Sequence, residues 1–79
     1  MSTKTAKNKT MTKYSVNAKN ILKVGFDEEK EILEIEFKLN VIHHYFNVPL
    51  DEFVAFMKAY DSEEFYFNYI QCHYHFDVF

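Results

Sequence analysis

The sequence predicts a small α+β domain: an antiparallel sheet of three to four strands packed against one main helix and a second short helix. Three observations carry that prediction. Residues 32–39 alternate Leu33, Ile35, Phe37 and Leu39 with Glu34, Glu36 and Lys38, the period of a strand with one wet face. Residues 50–57 place Leu50, Phe53, Val54 and Met57 at helical spacing behind a proline. Finally, 79 residues with 48% hydrophobic content, one Gly and one Pro suit a single domain and leave no room for a second.

The elements follow in chain order. Residues 1–13 hold Lys4, Lys7, Lys9 and Lys13 among Ser, Thr and Asn and are expected to form a flexible basic arm ahead of a domain over 14–79. Residues 21–27 set Leu22, Val24 and Phe26 on one face of a strand, and Gly25 inside it marks a bulge or a close backbone approach. The acidic link Asp27–Glu31 is short enough to join this strand to residues 32–39 as a hairpin. Residues 41–48 read as a third strand. Ile42, Phe46 and Val48 form its core side, while His43 and Tyr45 point away from the core.

Pro49 suits a first helical position, where a missing N–H costs nothing. The helix over 50–60 then carries Asp51 and Glu52 in its first turn and Lys58 near its end, matching the helix dipole. Asp61 with Glu64 resembles a capping pair for a second helix near 62–71. Phe65, Tyr66, Phe67, Tyr69 and Ile70 surround that helix almost completely, as in a buried or interfacial helix. Residues 73–79 alternate again and read as an edge strand.

Composition narrows the function. The arm carries four Lys and no acid, whereas residues 14–79 carry five Lys and twelve Asp or Glu. An acidic body without a single Arg is a poor surface for duplex nucleic acid, because Arg supplies the forked contacts to phosphate and guanine. The four arm lysines are the candidate phosphate contacts. No cofactor and no metal site is expected: His73-x-His75 beside Cys72 has no second ligand pair at a known spacing. One Cys excludes an internal disulfide. Cys72, Ser15 and Ser62 lack any glycine-bearing elbow, so the chain is not expected to be an enzyme. No apolar stretch approaches the ~20 residues of a membrane span, and the arm is followed by no signal-peptide core. A cytoplasmic protein without membrane contact is expected.

Aromatic residues make up 19% of the chain. His43, Tyr45, Tyr66, Tyr69, His73, Tyr74 and His75 are the candidate ligand-binding residues, since amphipathic rings can stack bases or nucleotides. A chain this short buries only roughly 60% of its unfolded surface. Self-association is therefore the expected source of added stability, and a homo-oligomer is anticipated.

Residues 17–79 resemble the KTSC domain, a family named for a C-terminal extension of some lysyl-tRNA synthetases. The resemblance rests on Asn20-Ile21, Val24-Gly25-Phe26-Asp27, Leu33-Glu34-Ile35-Glu36-Phe37, Tyr45-Phe46-Asn47-Val48-Pro49, Phe53, Ala59, Ile70, Tyr74 and Phe76. The family's central Tyr-x-Tyr stands here as His43-His44-Tyr45, and its later Ser-Lys-Gly turn as Asp61-Ser62-Glu63. The resemblance implies the α+β fold and suggests RNA binding. Two functional expectations follow. One is a non-enzymatic module taking single-stranded RNA or a nucleotide on its aromatic and histidine face. The other is a phage-encoded protein-interaction or anti-defence protein, which either inhibits a host protein or sequesters a nucleotide messenger as an oligomer.

Overall fold

Five antiparallel strands follow chain order across one sheet: β1 (Lys13–Ser15), β2 (Ile21–Asp27), β3 (Ile32–Phe37), β4 (Val41–Tyr45) and β5 (Phe76–Val78). Between β4 and β5 lie α1 (Leu50–Lys58) and α2 (Ser62–Phe65), the latter continued by a π turn over Tyr66–Ile70. This computed structural model describes residues 11–16 and 18–79. The class is the α+β arrangement the sequence predicts, with one strand more than its upper count. The addition is β1, which begins at Lys13, the last residue assigned to the arm.

The β2–β3 hairpin forms where the alternation places it. Asp27 Oδ1 accepts hydrogen bonds from the backbone N–H groups of Glu29 and Lys30, both at 3.1 Å, so the acidic link is held as a side-chain-supported turn. Gly25 marks a close approach: a Cβ there would lie 2.7 Å from Met11 Sδ and 3.1 Å from the Thr12 carbonyl oxygen. The irregularity in β2 sits elsewhere, between Ile21 and Lys23. It puts Ile21 on the core face with Val24 and leaves Leu22, expected inside, 40% exposed.

The β3 strand ends at Phe37 rather than at residue 39. Leu39 and Asn40 have φ of 68° and 62°, a left-handed reversal that turns the chain into β4 and leaves Leu39 91% exposed.

The faces of β4 are the reverse of those expected. Antiparallel partners share a face, and Leu33 pairs with Tyr45, Ile35 with His43. Because Leu33 and Ile35 are core residues, Tyr45 and His43 face inward, and Tyr45 is fully buried. Ile42 and Phe46 are only partly buried. The strand stops at Tyr45; Asn47, with φ of 61°, then redirects the chain so that Val48 also enters the core. The Val48 N–H donates to the Glu31 carbonyl at 2.9 Å and pins this corner to the first hairpin.

The α1 helix begins at Leu50, and Pro49 is its cap, its carbonyl accepting from the Glu52 and Phe53 N–H groups. The core stripe is Phe53, Phe56 and Met57, whereas Leu50 and Val54, expected on it, are exposed. Large rings win the inward position: Phe53 stacks on Phe26 with centroids 4.7 Å apart, and Phe56 on Phe65 at 5.5 Å. Asp61 caps α2, accepting from the Glu63 and Glu64 N–H groups at 3.1 Å each. In the π turn the Gln71 N–H reaches the Tyr66 carbonyl at 2.9 Å. Tyr66 and Ile70 are buried there, but Phe67 and Tyr69 are exposed, so this helix is not covered all round.

Candidate functional site

Alternation along β4 divides the sheet into two chemically different faces. On the inner face, Tyr45 Oη lies 2.5 Å from Tyr66 Oη and 3.0 Å from His43 Nδ1. The two hydroxyls and a neutral imidazole form one chain in which each hydroxyl proton is used once. The electrostatics agree. Burial lowers the His43 pKa and so keeps its ring neutral. Burial likewise pushes both phenols up from their ordinary value of 10.0. Two phenylalanines frame this chain. Phe37 meets His43 and Tyr66 edge-on, at 4.7 and 5.5 Å. Phe76 of β5 stacks beside His43 and Tyr45, at 5.1 and 5.2 Å.

The outer face carries a row of partners running across all five strands: Lys13, Gly25, Glu34, His44 and Asp77. Gly25 has no side chain, so the Lys13 ammonium passes over it to pair with Glu34 Oε2 and comes within 3.7 Å of Glu36. His44 Nε2 donates to Glu34 Oε1 at 2.7 Å, and the Phe79 ring leans on His44 with centroids 4.6 Å apart. Burial alone would raise the Glu34 pKa. Hydrogen bonds from Lys13 and His44 outweigh it and hold the carboxyl below its ordinary value, while Lys13 is correspondingly raised.

The seven candidate ligand residues do not assemble into one exposed platform. His43, Tyr45 and Tyr66 come together, but the two tyrosine rings are core. Tyr74 packs half-buried against the core. Tyr69 lies against Phe65, 4.7 Å away and exposed. His73 and His75, expected on one strand face, precede β5: the His73 N–H donates to the Ile70 carbonyl in a turn, and only the His75 carbonyl joins the ladder, accepting from Phe46. Of the candidate phosphate contacts, Lys13 is engaged with Glu34, and Lys4, Lys7 and Lys9 lie outside the described residues. Among the described residues no group of three or more His, Cys, Asp or Glu is placed to hold a metal ion. No helix among them is long and apolar enough to cross a membrane. Sequence reasoning missed Phe37 and Phe76 as members of the inner cluster, and the Lys13–Glu34–His44 network entirely.

The β5 edge exposes apolar side chains. Among the described residues β5 pairs with β4 on one side only and ends the sheet. Phe76, Val78 and Phe79 are 45%, 57% and 65% exposed. The Ile42–Phe79 and Phe46–His75 backbone bonds show that residues 75 and 79 aim their backbone groups at β4. By the two-residue period, Phe76 and Val78 aim theirs outward, away from the sheet.

Comparison with known proteins gives a consistent assignment. The sequence model of the KTSC domain matches residues 17–74. Among solved structures, the crystal structure of a KTSC domain protein from Yersinia pestis superposes with a TM-score of 0.84 at 26% identity, covering 89% of this chain and 99% of that one. No curated protein matches the sequence.

Proposed function

The chain belongs to the KTSC domain family, and from that premise we propose that it is a non-enzymatic protein-association module that takes its partner by strand addition along β5. The observation carrying this reading is the outward edge of β5, unpaired among the described residues, where backbone groups lie beside the exposed side chains of Phe76, Val78 and Phe79. Strand addition draws affinity from main-chain hydrogen bonds and specificity from alternate side chains. The two sheet edges contrast in the way this requires. The opposite edge, β1, is Lys-Tyr-Ser, and its Lys13 is the kind of charge that blunts an edge. The β5 edge carries Phe-Asp-Val and no cation.

Binding of RNA or a nucleotide draws less support from this surface. Tyr45 and Tyr66 are too buried to stack on a base. A surface groove lined in part by Lys19, Asp61, Glu63, Glu64 and Phe67 carries more acid than base and repels phosphate. The decisive variant is Val78→Pro, which removes an outward N–H that β4 does not use. Sedimentation and pull-down assays should show association lost while the circular dichroism spectrum stays unchanged. Association of that variant at the original affinity would overturn strand addition at β5. Affinity for single-stranded RNA that falls steeply with salt would replace this reading with the nucleic-acid one.

A further inference from the structure

Building on that reading, we propose that the partner on β5 is a second copy of this chain, paired antiparallel about a two-fold axis through Phe76, with each Asp77 opposite the partner's His75. Parity and charge select the register. A two-fold axis normal to a continuous sheet keeps each residue on its own face, so it must pass through a residue and not between two. In β5 the available centres are Phe76, Asp77 and Val78.

Centring on Asp77 sets Asp77 against the partner's Asp77, a non-hydrogen-bonded pair about 4.5 Å apart at Cα, where like charges are destabilising. Centring on Val78 sets Asp77 against the partner's Phe79 and satisfies no charge. Centring on Phe76 does three things at once. Phe76 and the partner's Phe76 exchange two main-chain hydrogen bonds, because the backbone groups of both point outward. Their rings meet on the inner face, where each already stacks beside its own His43 and Tyr45. On the outer face Asp77 meets the partner's His75 in the closely spaced type of pair, twice per dimer.

The last contact extends an existing pattern. Within one chain the outer row runs Lys13, Glu34, His44, Asp77, each acid flanked by a base. Asp77 is opposite His44 on one side and, among the described residues, has no strand neighbour on the other. A histidine from a second copy supplies the missing basic neighbour, and the dimer joins the two five-stranded sheets of the described residues into one.

The register is tested in a Cys72→Ser background, since Cys72 is free and exposed and would cross-link on its own account. Under mild oxidation the His75→Cys/Asp77→Cys double variant should form a covalent dimer, and Asp77→Cys alone should not. Independently, Asp77→Asn should weaken dimerisation about tenfold by sedimentation equilibrium, two cross-strand pairs being lost. Cross-linking by Asp77→Cys alone, or a tighter dimer on Asp77→Asn, would overturn the Phe76-centred register in favour of the Asp77-centred one. A chain that stays monomeric yet captures another protein in a manner abolished by Val78→Pro would overturn self-pairing and leave strand addition standing.

Discussion

His43 and His44 are neighbours in β4, yet they sit in opposite chemical settings. His43 faces the helices, loses hydration, and shares a hydrogen bond with a phenol that is itself bonded to a second phenol. His44 faces the outer side and donates to Glu34, a carboxylate that Lys13 also holds. A step of one residue thus crosses from a neutral hydrogen-bond chain to an ionic one. The inner chain stabilises by filling a core with satisfied polar tips, the outer by distributing alternating charge over the sheet surface. The inner face should therefore respond to changes in volume and the outer to changes in ionic strength.

The largest test of that contrast is Tyr45→Ala. It empties a fully buried ring site and should cost about 3–5 kcal/mol, much of what a domain of this size possesses at roughly 0.05–0.15 kcal/mol per residue. Urea denaturation should show a collapsed midpoint, and a loss under about 1 kcal/mol would break the claim that this face is a packed core. Tyr66→Phe keeps the ring and removes one hydroxyl; about 1 kcal/mol is expected on the same measurement.

The pH dependence separates the faces without changing volume. The folded pKa values of His43 and Glu34 both lie below the ordinary ones, 6.5 and 4.5. Each group therefore contributes stability that is complete above its ordinary value and disappears as pH falls through its folded value. Thermal melts should show a first decline below pH 6.5 that His43→Phe flattens, and a later one below pH 4.5 that Glu34→Gln reduces. The reverse assignment of the two declines would sink the division. The smallest effect belongs to Lys13→Met. The Lys13 side chain is 34% exposed, so solvent screens part of its pairing, but its partner Glu34 is buried. Up to about 1 kcal/mol is expected at low salt, reduced but not abolished at about 1 M.

How legible this arrangement is in the sequence depends on contrast between adjacent side chains. In β3 the contrast is strong, Leu33 and Ile35 against Glu34 and Glu36, and both the strand and its faces follow. In β4 it is weak. Each face holds a histidine and an aromatic, and a tyrosine serves a core as readily as a surface once its hydroxyl finds a partner. Only the register with β3 decides between them, and that depends on the reversal at Leu39 and Asn40, for which Asn40 is the one local sign. The α1 helix is placed well, but two adjacent apolar stripes compete and the rings of Phe26 and Phe65 choose Phe53 and Phe56 over Leu50 and Val54. β1 is illegible because Lys-Tyr-Ser carries no strand period; what admits it is the space above Gly25. The outer network joins residues from three strands, and no local pattern encodes it.

Asn47 carries a last consequence. Tyr45 and Val48 both reach the core although an odd number of positions separates them, a sum that an uninterrupted strand cannot make. The left-handed residue between them acts as a phase shifter: it adds half a strand period before the chain enters α1. The length of this corner is thereby fixed to the residue. Most surface loops absorb an insertion or deletion at little cost, but losing Phe46 here, with the half-period shift at Asn47 retained, would send Val48 and the helix behind it towards the wrong side of the sheet.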